Sequence, residues 1–153
     1  MTQVGEMAPD FTLPRDGGDN ITLSKLRPSM VVVYFYPKDN TPGCTKQAIG
    51  FTEHMQAFRD AGCEIIGISK DSVKKHDNFR AKHALEVILA SDADSDVCEQ
   101  YGVWKEKSMY GKTFMGIERS TFLIGGDGVV VQEWRKVRVA DHVEAVLDAV
   151  KSQ

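Results

Sequence analysis

The sequence predicts a layered α/β domain in which helices flank a mixed β-sheet. Strand-like and helix-like segments alternate along the chain, and a hairpin pattern followed by a helical pattern closes it. Hydrophobic residues make up 42% of 153 residues, which suits one core. We find no internal repeat and no long linker, so residues 1–153 are expected to form a single domain.

The first third of the chain predicts a small N-terminal β-hairpin and a central strand. Residues 11–13 and 21–23 alternate apolar and polar side chains around a turn rich in Gly and Asp. The β-branched and aromatic run from Met30 to Tyr36 predicts a strand buried on both faces. Two prolines and a glycine within residues 37–43 then predict a loop.

A helix is expected after this loop. Ala48, Phe51, Met55 and Phe58 fall at three- and four-residue steps on one apolar stripe, and Gly62 is a plausible stop. The pattern then predicts a strand over 64–69, a helix from Asp71 or Ser72 to about His83, a strand over 87–89 and a short helix over 94–101.

The last third predicts a hairpin and a final helix. Residues 121–124 and 129–134 flank a Gly-rich turn, and Asp141 with Glu144 resembles a capping box for the helix that follows. Residues 109–117 are expected to form a mobile loop over a pocket, or alternatively a contact surface.

Composition and charge exclude several function classes. The net charge of −3 gives no support for nucleic-acid binding, which usually needs a basic face. The segment Met1 to Glu6 has no leader pattern, and the longest apolar run is too short to cross a bilayer. Three cysteines in an acidic chain do not resemble a secreted disulfide framework, so a reducing cytoplasm is expected.

Cys44 is the best candidate nucleophile among the three cysteines. It lies where the loop after the central strand turns into a helix, and a helix N-terminus favours an anion such as a thiolate. Cys63 and Cys98 lie in strand and helix patterns that indicate core packing. No CxxC pair is present and no His stands at ligand spacing beside a cysteine, so neither a dithiol site, a zinc site nor a cofactor is predicted.

The four histidines are not expected to take part in catalysis. They stand on predicted helices with charged neighbours, which is typical of surface residues rather than of a general base: His54, His76, His83 and His142.

The segment from Tyr36 to Thr45, YPKDNTPGCT, resembles the active-site pattern Pro-x-x-x-Thr-x-x-Cys of the peroxiredoxins. Its form is similar to the bacterioferritin comigratory protein branch, also called PrxQ. The segments APDFTLP at Ala8, GISKD at Gly67, VCEQYGVW at Val97 and GIERSTFLI at Gly116 also match, so the resemblance spans nearly the whole chain.

This resemblance implies a thioredoxin-like fold and the reduction of hydrogen peroxide and organic hydroperoxides. Cys44 would be the peroxidatic thiolate that becomes a sulfenic acid. Thr41 would hydrogen-bond the peroxide and the thiolate, and Arg119 would steady charge on sulfur and on the leaving oxygen. Pro37 would shape the pocket, and the backbone N–H groups of Gly43 and Cys44 could donate to the substrate; Pro42 has none to donate.

The chain departs from this branch at both usual resolving positions. Ile49 stands five residues after Cys44 and Arg80 thirty-six residues after it, where relatives carry a resolving cysteine. We therefore expect a one-cysteine cycle with an external thiol, which could be thioredoxin, glutaredoxin or glutathione. Cys98, and less specifically Cys63, stays open as an internal resolving residue after local unfolding.

Three functions compete at this point. The first is a thiol peroxidase, and the second is a peroxide sensor or redox-signalling protein that uses the same Cys44 sulfenic acid. The third, a dithiol oxidoreductase, is disfavoured by the missing CxxC pair. No exposed apolar stripe demands a dimer, so a monomer is expected.

Overall fold

A computed structural model describes residues 2–153; Met1, the first residue of the N-terminal segment considered above, lies outside them. The strands are β1 (Thr12–Pro14), β2 (Asn20–Thr22), β3 (Met30–Phe35), β4 (Cys63–Ser69), β5 (Ile88–Ser91), β6 (Trp104–Met109), β7 (Lys112–Ile117), β8 (Ser120–Ile124) and β9 (Val130–Trp134). The helices are α1 (Pro42–Glu53), α2 (Met55–Asp60), α3 (Val73–His83), α4 (Val97–Gln100) and α5 (His142–Lys151), and a 3₁₀ turn covers Leu23–Leu26.

The central sheet has five strands in the order β5-β4-β3-β8-β9. Strands β3, β4 and β5 run parallel, and each parallel step is made through helices, as parallel pairing requires. Strand β8 runs antiparallel to β3, and β9 antiparallel to β8. The predicted mixed sheet, its C-terminal hairpin and the separate N-terminal hairpin β1-β2 are therefore confirmed.

Strand β3 is buried on both faces, as predicted. Val31, Val33 and Phe35 enter a core formed with the N-terminal hairpin and α4. Val32 and Tyr34 enter a second core, which contains residues of α1, α2, α3 and α5. The sheet thus separates two apolar layers, and any side chain belongs to one side or the other.

The helix expected after β3 is in fact two helices. It begins at Pro42, because a proline is compatible with the first helical position. It is interrupted at His54, whose backbone leaves helical geometry with φ −100° and ψ 7°. The apolar stripe continues across this break, so its periodicity gives no sign of the interruption.

Residues 109–117, expected to form a mobile loop, instead lie in the antiparallel hairpin β6-β7. Tyr110 and Gly111 form its two-residue turn, and both have positive φ, as the tight hairpin turns require. Apolar and polar side chains alternate only weakly along β6 and β7, because this hairpin covers little of the core. The sequence pattern therefore did not predict its strands.

Two expectations about histidines and one about helix capping are wrong. His76 and His142 are buried, because each ring finds a hydrogen-bond partner inside the fold. His54 and His83 are partly exposed. Asp141 has a left-handed backbone with φ 61° and its side chain makes no cap, so no capping box forms.

Within residues 2–153, no helix combines the length and apolar character that a membrane span needs.

Candidate active site

The end of β3, the start of α1 and the β7-β8 connection meet at Cys44. Strand β8 pairs antiparallel with β3 so that Ser120 lies opposite Phe35. Arg119, directly before β8, therefore emerges at the same sheet edge from which the chain continues toward α1. Its Nη2 atom lies 3.2 Å from Cys44 Sγ, which places a guanidinium N–H in hydrogen-bonding contact with the sulfur.

The first turn of α1 places backbone N–H groups without a backbone acceptor next to Cys44. Cys44 is the third residue of this helix, and its side chain is only 1% exposed. Among the described residues, the first N–H of this turn to find a backbone acceptor is that of Thr45, which donates to the Thr41 carbonyl at 2.9 Å. The preceding N–H groups, of Gly43 and Cys44, and the helix dipole favour negative charge at this point.

Gln47 is a site residue that the sequence interpretation missed. It lies one turn after Cys44 on the same face of α1, fully buried, and its Oε1 accepts a 2.6 Å hydrogen bond from Arg119 Nη1. The two ends of the guanidinium are thus held by two residues of one helix face. The three-residue spacing from Cys44 was the signal that could have indicated it.

Gly43 allows Arg119 to approach the helix. A Cβ atom at this position would lie 3.2 Å from Arg119 Nη2 and 3.8 Å from Val139 Cγ2. A larger residue would therefore compete with the guanidinium for the space beside the sulfur. The glycine serves close approach here, since its backbone φ is not in the left-handed region.

Thr41 and Pro37 flank the site on the β3-α1 loop. The Thr41 hydroxyl donates to the Lys38 carbonyl at 2.9 Å, and among residues 2–153 it makes no hydrogen bond to Cys44. The expected contact of Thr41 with the peroxide stays a prediction. Pro37 is exposed and lines a cavity of about 290 Å³, whose other walls come mainly from the β6-β7 hairpin and include Lys107.

Positive charge is concentrated around Cys44. Burial, and then the neighbouring Arg119, lower the pKa of Lys107, while the nearby Cys44 opposes this shift. Burial and Arg119 likewise lower the pKa of His142 to about 4, so this ring is neutral near pH 7. The electrostatic effect of Arg119 therefore extends to both side chains as well as to the sulfur.

The other two cysteines lie away from this arrangement. Cys63 stands at the opposite end of the sheet, paired with Met30 at the start of β3, about 16 Å along the strand from its end. Cys98 belongs to the apolar layer on the other face of the sheet. Burial raises the pKa of the Cys63 thiol to about 12, and burial followed by Asp92 raises that of Cys98 further.

Neither of the two usual resolving positions carries a side chain that could form a disulfide with Cys44. Ile49 is partly buried and packs against the core that contains Cys44. Arg80 makes an ion pair with Asp16. All three cysteines are free thiols, and within residues 2–153 no group of three or more His, Cys, Asp and Glu side chains could hold a metal ion.

Comparisons with known proteins find similar sequences over nearly the whole chain. A model of the AhpC/TSA family matches residues 4–133. The chain is 50% identical over 145 residues to a putative peroxiredoxin bcp of Coxiella burnetii, covering 95% of this chain and 96% of that protein. It is 45% identical over 149 residues to peroxiredoxin Bcp of Bacillus subtilis, covering 97% and 95%.

Solved structures of similar proteins have the same fold as this chain. A structure of peroxiredoxin Q from Xanthomonas campestris superposes with a TM-score of 0.91 at 47% identity, covering 100% of this chain and 97% of that one. A PrxQ mutant from Xylella fastidiosa gives a TM-score of 0.94 at 39% identity, covering 99% and 97%. Another Xanthomonas campestris structure concerns the alkyl peroxide reduction activity of its bacterioferritin comigratory protein.

Proposed function

The chain belongs to the AhpC/TSA family of peroxiredoxins, and we propose that within it Cys44 is the residue that attacks the peroxide. Members of this family are thiol-dependent peroxidases, so the chain is an enzyme that reduces hydroperoxides. The observation that carries the assignment of Cys44 is the 3.2 Å contact between its sulfur and Arg119 Nη2 at the start of α1.

The first half of the reaction is a displacement at oxygen. The Cys44 thiolate attacks one peroxide oxygen, a sulfur–oxygen bond forms, and the O–O bond breaks. The departing oxygen takes the electron pair and a proton and leaves as water or an alcohol, while Cys44 becomes a sulfenic acid. Arg119 and the N–H groups of Gly43 and Cys44 can stabilise the charge as it moves from sulfur to oxygen, because they are fixed before the reaction.

The second half uses an external thiol. An outside thiolate attacks the Cys44 sulfenic acid, releases water and forms a mixed disulfide, and a second thiol then regenerates Cys44. Support comes from the placement of the other cysteines, since a disulfide needs Cα atoms about 4.4–6.8 Å apart and Cys98 lies across the sheet. The reductant we propose is thioredoxin, glutaredoxin or glutathione.

The oligomeric state and the cellular compartment are also proposed. We propose a single-domain monomer that acts in a reducing cytoplasmic compartment, where the three free thiols persist. No observation on the molecule favours the peroxide sensor, and the relatives carry peroxiredoxin names. Light scattering coupled to size exclusion would report the mass, and a stable dimer would contradict the proposed state.

The assignment is tested by peroxide consumption with each reductant system in turn. Cys44→Ser should abolish turnover, whereas Cys63→Ser, which changes another buried thiol, should retain it. Arg119→Ala should lower kcat/KM by about 10²–10³, as loss of a fixed charge-stabilising donor does elsewhere. Activity retained by Cys44→Ser would refute the assignment. An internal disulfide found by mass spectrometry after one equivalent of peroxide, and lost in Cys98→Ser, would refute the one-cysteine cycle.

A further inference from the structure

A buried carboxylate lies in the middle of the loop that carries two active-site residues. Along the β3-α1 loop, Pro37, Lys38 and Asn40 are exposed, but Asp39 is only 6% exposed. A buried acidic side chain in an otherwise exposed loop is costly unless it is fully paired. Its partners therefore indicate what holds the loop in place.

Asp39 is held by three elements of the fold. Tyr36, directly after β3, donates its hydroxyl hydrogen to Oδ1 at 2.5 Å, and burial raises the pKa of this phenol well above its usual value, so it stays a donor. His76 of α3 places Nδ1 at 2.7 Å from Oδ2. The backbone N–H of Asp39 donates to Asp71 Oδ2 at 2.8 Å.

His76 is itself fixed on both sides. Its ring is fully buried, and its Nε2 lies 3.0 Å from the carbonyl oxygen of Ala90 in β5. The imidazole thus joins the loop to a strand of the central sheet. Within residues 2–153 no hydrogen bond joins Asp39, Asp71 or His76 to Cys44, so we expect any effect on the reaction to pass through the position of the loop.

Movement of this loop would change access to the sulfur. It carries Pro37 and Thr41 and leads directly into the first turn of α1, where Cys44 is 1% exposed. A small peroxide needs only a narrow path, but the thiol of a protein must come within bonding distance of sulfur. The closed loop therefore suits the oxidation step, and an open loop suits the exchange with a bulky thiol.

We propose that the Asp39–His76 pair is a latch that holds the β3-α1 loop closed over Cys44 and sets how often the site opens. This inference rests on the proposed function only for its consequence in the catalytic cycle. Asp39 and His76 are positioning residues, since they act through the loop and not on the substrate. Breaking the latch should slow oxidation by peroxide and speed the reaction of Cys44 with bulky reagents.

The latch is tested first without any peroxide. Reduced wild type, His76→Gln and Asp39→Asn are labelled with N-ethylmaleimide for set times, and peptide mass spectrometry follows each cysteine. Cys44 should be labelled about tenfold faster in both variants, the factor expected when a hydrogen bond to a charged group is lost. Cys63 and Cys98 should keep their wild-type rates, because they report opening of the rest of the fold.

The matched control is His83→Gln, which changes a partly exposed histidine of the same helix and should leave all three labelling rates unchanged. The latch variants should react with hydrogen peroxide more slowly than wild type by less than about twofold, because a tenfold larger opening constant that still leaves the closed form dominant changes its population little. Equal acceleration of all three cysteines would overturn the proposal, since it would show a general loss of stability, and so would unchanged labelling of Cys44. If His76→Gln does not fold, Tyr36→Phe removes one bond of the latch with little change in shape.

Failure of the latch can be distinguished from failure of the proposed function. If the wild type does not reduce peroxide, the proposed function fails, but the labelling rates still decide whether the latch exists. If peroxide reduction is found and labelling of Cys44 is unaffected by the variants, the latch fails and the proposed function stands.

Discussion

The neutral, buried His142 predicts a loss of stability in mild acid. Its Nε2 lies 2.8 Å from Thr121 Oγ1, its ring packs on edge against Trp134, and burial followed by the Arg119 charge lowers its pKa from 6.5 to about 4. Between these two values the unfolded chain binds the proton and the folded chain does not. The free energy of unfolding must therefore fall as the pH drops through this window and is fully recovered above pH 6.5.

The size of this effect follows from the shift. At pH 4.5 a group with these two pKa values would lower the free energy of unfolding by about 2.5 kcal/mol relative to pH 7. Solvent screening near the ring reduces this to about 1–1.5 kcal/mol. Urea unfolding at pH 7 and pH 4.5 measures it, because the drop for wild type minus the drop for His142→Gln isolates the imidazole. Equal drops in the two proteins would refute the reasoning, and a larger drop in the variant would reverse its sign.

Two further predictions concern packing around the site. Gly43→Ala places a methyl group 3.2 Å from Arg119 Nη2, so it should lower kcat/KM for peroxide about tenfold with little change in the urea midpoint; wild-type kinetics would show that the guanidinium can move aside. Phe51→Ala removes a fully buried ring that stacks on Tyr34 at 4.8 Å, so the free energy of unfolding should fall by about 3–5 kcal/mol; a loss below 1 kcal/mol would contradict the packing described.

Most of the fold could be predicted because strong patterns coincide with deep burial. The run from Met30 to Tyr36 is apolar on both faces and lies between two cores. The β6-β7 hairpin could not be predicted in this way, because its side chains cover little core and Phe114 and Met115 remain exposed. A strand without a buried face gives no alternation to detect.

The site was only partly predictable for a different reason. The position of Cys44 at a helix start follows from local sequence, but its contact with Arg119 depends on the register between β3 and β8. Pairing register between segments distant in sequence is not encoded in the local pattern of either segment. The same limit applies to His76, since its partner Asp39 lies 37 residues away on another element.

The three cysteines show that burial alone does not decide reactivity in this chain. Cys44 and Cys63 are each 1% exposed and Cys98 is fully buried, so solvent access does not separate them. The Cys63 thiol donates to the Glu64 carbonyl at 3.4 Å, and Cys98 stands beside the Asp92 carboxylate, which disfavours a thiolate. Cys44 alone combines a helix N-terminus with a guanidinium that Gln47 holds in place. Charge stabilisation, and not exposure, therefore distinguishes Cys44. Arg119→Lys should reduce the reactivity of Cys44 although it keeps the positive charge, because one ammonium group cannot contact the sulfur and Gln47 with the same fixed geometry.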